Sequence, residues 1–107
     1  MEKTIDNIAF TKGDGIVPVI VQDVNSKQVL TLAYANKESL ELTKKTGNSW
    51  FWSRSRNKLW MKGEESGNTQ KVKEILVDCD SDALIYLVEP SGPACHTCEG
   101  TCFHNNM

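Results

Sequence analysis

"VPVIVQDVNSKQVLTLAYANKESLELTKKTG", Val17–Gly47, decides how the chain folds. "VPVIVQDV" is rich in β-branched residues and reads as a strand. Asn25, Ser26 and Lys27 supply turn chemistry, and "QVLTLAYA" reads as the returning strand. Asn36 then has the character of a helix N-cap. Leu40 and Leu42 follow among good helix formers, Lys44 and Lys45 fall in the last turn, and Gly47 stops it. One hairpin followed by one helix, about residues 36–46, is the expectation.

Outward from this unit the pattern stays strand-rich. "SWFWSR" and "KLWMK" flank Ser55–Asn57 and predict a second hairpin. "EESGNTQ" reads as a polar loop, and "KVKEILVDC" and "ALIYLVE" as two further strands. Residues 1–15 form an irregular lead-in, and residues 90–107 a loop-like, cysteine-rich, metal-binding tail. The fold class is mainly β (α+β), a single domain over residues 1–107 with one clear helix.

The bulk numbers narrow the function. At 107 residues there is room for one modest core. A net charge of −2 gives no global attraction to nucleic acid or an anionic membrane, so any anion site is local. "MEKTIDNIAF" is not a secretory signal, and the apolar run from Ala83 to Val88 is too short to span a bilayer. The expected location is the reducing cytoplasm, where clustered thiols are metal ligands or catalysts more often than disulfides.

"VDCDSDALIYLVEPSGPACHTCEGTCF", Val77–Phe103, holds all four cysteines. Asp78, Asp80 and Asp82 alternate with Cys79 and Ser81, so an extended backbone would put three carboxylates on one face and Cys79 on the other. Like charges stacked in this way suit a hard dication such as Mg²⁺; a solvated acidic turn is the plain alternative. The spacing to Glu89 also resembles a calcium-binding loop, but Ala83 stands where that loop needs Gly, and the flanks read as strands. Cys79, Cys95, Cys98 and Cys102 allow either a closed tetrathiolate zinc or a three-ligand zinc with an open position. His96 is a ligand, a general base or an ordinary loop histidine. A structural-zinc adaptor without catalysis therefore stands beside an enzyme. The zinc-deaminase signature is not matched, because Ala94 separates Pro93 from Cys95 and no His-x-Glu occurs.

In family order, the stretches "VPVIVQD", "LAY", "FWSRSRNKLWMKGEESGN", "VDCDSDAL", "GPACHT" and "CF" resemble the phosphoribosyl-AMP cyclohydrolase family of histidine biosynthesis. The resemblance runs from about Pro18 to Phe103. It implies a hydrolase that opens the adenine ring (the N1–C6 bond) of 1-(5-phosphoribosyl)-AMP. It implies one zinc per subunit on Cys79, Cys95 and Cys102, Mg²⁺ on Asp78, Asp80 and Asp82, and His96 as candidate base. It implies an intertwined homodimer whose zinc ligands come from both chains, with no nucleic-acid polymer or membrane as partner. The second enzyme fused to some relatives is not expected in a chain of this length. Cys98 stands where the family usually has Gly, which leaves its part in the ligand set open. Arg54, Arg56, Lys62 and Ser66 are the candidates for the substrate's phosphates, since Arg pairs with phosphate through two parallel hydrogen bonds.

Overall fold

A computed structural model describes residues 3–92 and 99–107. Strands β1 (Val17–Asp23), β2 (Val29–Ala35), β5 (Gln70–Val77) and β6 (Leu84–Pro90) form one sheet in the order β2-β1-β6-β5. Helix α1 (Lys37–Thr46) follows β2, and β3 (Trp50–Ser53) pairs with β4 (Lys58–Met61) as a separate hairpin. Neighbours in the sheet are antiparallel except β1 and β6, which run parallel. The strand-rich fold with one helix is as the sequence predicts. The parallel pair is not something the sequence pattern specified.

The two inner strands are the most apolar, "VPVIV" and "LIYLV", as expected for strands flanked on both sides. Val17, Val19 and Val21 of β1 and Leu84, Tyr86 and Val88 of β6 point to one face and are buried. There Leu40 of α1, Phe51 of β3 and Ile8 of the lead-in complete the core. Phe51 packs between Trp60 and Tyr86, with ring centroids 4.8 and 5.7 Å away. The opposite face carries the alternate residues. Leu32, Ile20, Ile85 and Leu76 stand in register across all four strands. Three of them are substantially exposed: Leu32 at 47%, Leu76 at 40% and Ile20 at 36%.

Local chemistry sets the joints. The Asn36 carboxamide accepts from the Ser39 N–H at 2.8 Å and the Ser39 hydroxyl accepts from the Asn36 N–H at 2.9 Å, a reciprocal cap. Gly47, with φ of 80°, ends the helix in the left-handed conformation. The lead-in is more ordered than an irregular segment: it makes two short 3-10 turns, Ile5–Asn7 and Phe10–Gly13.

Candidate functional site

The extended aspartate ladder is not what forms. Strand β5 ends at Val77 and β6 begins at Leu84, so Asp78–Asp82 is the turn between them. The reason lies in the aspartates themselves. One Asp78 carboxylate oxygen accepts from the N–H groups of Asp82 and Ala83, at 2.9 and 3.2 Å, and fastens the turn. Ser81 takes a left-handed φ of 64°. The opposed faces expected for Cys79 and the acids therefore do not arise from a pleat.

The turn nevertheless gathers the carboxylates. One oxygen from each of Asp78, Asp80 and Asp82 lies within 4.8 Å of the others, and this is the one such group of possible metal ligands among the described residues. That donor set is all oxygen and fits a hard divalent cation. The crowding shows in the acids' titration. The Asp80 and Asp78 side chains, by hydrogen bonding and then by charge, raise Asp82 above the usual carboxylate range, with burial adding to them. Burial pushes Asp78 upward too. Its hydrogen bonds from the Asp82 side chain, the two backbone N–H groups and Asp80 outweigh that and hold it low.

The lead-in closes over this turn. The Lys3 ammonium donates to Asp78 O at 3.1 Å, Cys79 O at 3.2 Å and Ser81 Oγ at 2.6 Å. The Ala9 N–H donates to Ser81 O at 2.7 Å. Lys12 Nζ lies 3.7 Å from Asp80 and 3.6 Å from Asp82. No local sequence signal marks these lysines, because their partners lie about seventy residues away in the chain.

Two of the four thiols fall among the described residues, and they lie at opposite ends of the sheet. Cys79 and Cys102 are both free and exposed. Cys102 is tied to the start of β2: its N–H donates to Leu30 O at 2.7 Å, and the Thr101 hydroxyl donates to Val29 O at 2.6 Å. Val29 is level with Gln22 and Leu87, whereas the acidic turn precedes Leu84. Three residues along the strands and two strand spacings across separate these points, on the order of 14 Å. Two sulfurs on one zinc must lie within about 4.6 Å of each other. One chain therefore does not bring Cys79 and Cys102 to one ion. Cys95, His96 and Cys98 lie outside the described residues.

The phosphate candidates also fall into two groups. The Arg54 guanidinium stacks on the Tyr34 ring, 4.1 Å from its centroid. Arg56 is exposed beside it in the turn after β3, and the Ser53 hydroxyl accepts from its N–H at 3.2 Å. Lys62 follows β4 at the other end of the hairpin, and Ser66 is exposed in the next loop. The register from Ser53–Lys58 to Trp50–Met61 puts about 10 Å between the groups. The Ser66 loop is tightly built. Its hydroxyl accepts from the Asn68 N–H at 3.2 Å, and the Ser91 N–H ties to Thr69 O at 2.9 Å. The loop thus sits beside Ser91–Gly92, at the far end of β5 and β6 from the acidic turn. A cleft of about 770 Å³ between α1 and the β5 edge meets the acidic end through Lys3 and Val77, but touches neither arginine.

Residues 31–104 match the family model for phosphoribosyl-AMP cyclohydrolase. A protein of Nitrosopumilus maritimus called phosphoribosyl-AMP cyclohydrolase is 78% identical over 107 residues, covering 100% of this chain and 99% of its own. A protein of that name from Archaeoglobus fulgidus is 60% identical over 93 residues, 87% of this chain and 86% of its own. The "Histidine biosynthesis bifunctional protein HisIE" of Bacillus subtilis is 62% identical over 101 residues, 94% of this chain but 48% of its own. The chain belongs to the phosphoribosyl-AMP cyclohydrolase family, a family of hydrolases. No helix among the described residues is long and apolar enough to cross a membrane.

Proposed function

We propose that the chain hydrolyses the N1–C6 bond of 1-(5-phosphoribosyl)-AMP in histidine biosynthesis, in the cytoplasm, as a homodimer with zinc on Cys79, Cys95 and Cys102 and Mg²⁺ on the acidic turn. Family membership carries the reaction. The observation that carries the dimer is the separation of Cys79 from Cys102 at opposite ends of the sheet. A ligand set containing both is satisfied when one protomer supplies Cys79 and its partner supplies Cys102. The exposed band of Leu32, Ile20, Ile85 and Leu76 favours the same reading, since a second copy would bury it.

Each group then has a chemical task. Zinc, when bound, acidifies a water so that hydroxide is available near neutral pH. His96 takes a proton from the attacking water and returns one to N1 as the ring opens. Asp78, Asp80 and Asp82 would hold Mg²⁺, which would supply positive charge for an oxygen of the substrate. Arg54 and Arg56 at one end of the hairpin, and Lys62 with Ser66 at the other, take the two phosphates, and their spacing suits a substrate with a phosphate at each end. A structural-zinc adaptor would bind zinc and turn nothing over, so turnover separates it from the enzyme.

The test is direct. Purified chain is given phosphoribosyl-AMP and the loss of the intact adenine ring is followed by absorbance, before and after a chelator and after zinc is restored. Ring opening that stops with chelation and returns with zinc is expected. Zinc-replete protein that leaves the ring intact overturns the assignment.

A further inference from the structure

We propose that Lys12 is the resident counter-ion of the acidic turn and that a divalent cation binds there by displacing it. The inference rests on the reading of Asp78, Asp80 and Asp82 as a cation site and adds a competitor built into the chain. The Lys12 ammonium sits between Asp80 and Asp82, at 3.7 and 3.6 Å from an oxygen of each. A dication bridging the three acids needs oxygens of the same two carboxylates, and a lysine held there repels it.

The lead-in is constructed so that only the side chain has to move. The lead-in is held to the turn independently of Lys12, by the Ala9 N–H on Ser81 O and by the three oxygens around the Lys3 ammonium. The 3-10 turn that carries Lys12 is closed by the Gly15 N–H on Phe10 O at 2.8 Å and by the left-handed Asp14. The Lys12 side chain itself is 55% exposed, so rotation delivers its ammonium to water at small cost. Exchange is thus a rotamer change on a fixed frame, and the lead-in stays docked in both states.

The experiment uses the full chain stripped of metal and Mn²⁺ as probe, with free Mn²⁺ read by electron paramagnetic resonance. Only the binding that Asp80→Asn removes is counted. Removing an exposed ion pair of this kind should tighten that binding about two- to fivefold in Lys12→Gln, while Lys12→Arg, which keeps the charge, should gain nothing. Equal or weaker binding in Lys12→Gln overturns the proposal, as does a complete lack of Asp80-dependent binding in the wild-type chain. Ring opening is measured separately. Tightening without ring opening counts against the proposed reaction alone, and ring opening without tightening counts against the role of Lys12 alone.

Discussion

Replacing Tyr86 by Phe tests the packing on which the sites are mounted. Tyr86 is fully buried on the inner strand β6, its ring stacked on Phe51 at 5.7 Å. The hydroxyl approaches Thr43 but meets no partner with hydrogen-bond geometry among the described residues. Burial pushes the phenol up to about 12, with Thr43 pulling weakly the other way. In the unfolded chain a phenol titrates near pH 10. Between those values the unfolded state has lost a proton that the folded state keeps. The native state is therefore destabilised as pH rises, by about 1.4 kcal/mol per unit and about 2–3 kcal/mol across the window. Below about pH 10 both states hold the proton and this dependence vanishes. Tyr86→Phe removes the titrating group and also an unsatisfied hydroxyl, so at neutral pH it should be neutral or stabilise by about 1 kcal/mol. Urea unfolding of both proteins from neutral pH to about pH 11.5 gives the comparison. Lysine titration is common to the two, so the difference between the curves isolates Tyr86. A difference that stays flat above about pH 10 would refute the buried, unpartnered phenol.

Three further outcomes are expected. Asn36→Ala removes the reciprocal cap of α1 and should cost about 1 kcal/mol in urea unfolding. Gly63→Ala would place its Cβ 2.5 Å from the Asn68 carbonyl carbon at a φ of +88°, so the loop must shift. It should cost about 2 kcal/mol by thermal unfolding and raise KM in the ring-opening assay through displacement of Ser66. Cys79→Ser and Cys102→Ser should each be inactive, yet after subunit exchange the mixture should recover about a quarter of wild-type turnover, since each mixed dimer rebuilds one site. Proven exchange without recovery would favour sites made within one chain.

The elements were legible where a short-range rule governs them. Asn36, Lys44, Lys45 and Gly47 mark the helix by capping and dipole chemistry, and the apolar runs mark β1 and β6. Their parallel pairing was not legible, because it depends on which long-range contacts the whole chain can satisfy. The aspartates misled for a physical reason. Alternation reads as a pleat, yet Asp is a poor strand residue and a good turn residue, and the Asp78 carboxylate completes the turn's own hydrogen bonds. Grouping Arg54 and Arg56 with Lys62 and Ser66 followed their closeness in sequence, but the hairpin between them sets the groups apart. Lys3 and Lys12 were invisible for the converse reason, being far in sequence and near in space.

The sheet has two unlike ends, and this polarity gives the proposed dimer its logic. The acidic turn with Cys79 occupies the end where β5 passes to β6. Cys102, the Ser66 loop and Ser91 occupy the other end. A copy related by translation would set like ends together and leave every ligand set split. A twofold axis across the strands reverses their direction, so the acidic end of each chain meets the thiol-bearing end of its partner, and it does so twice. The same operation lays one apolar band against its equal, as an isologous contact requires, because Leu32, Ile20, Ile85 and Leu76 form one row across the sheet's width. Completion of the zinc set asks for more: the acidic turn joins β5 to β6 while Cys102 lies against β2, so bringing Cys79 of one chain to Cys102 of its partner tilts the axis obliquely to the strands.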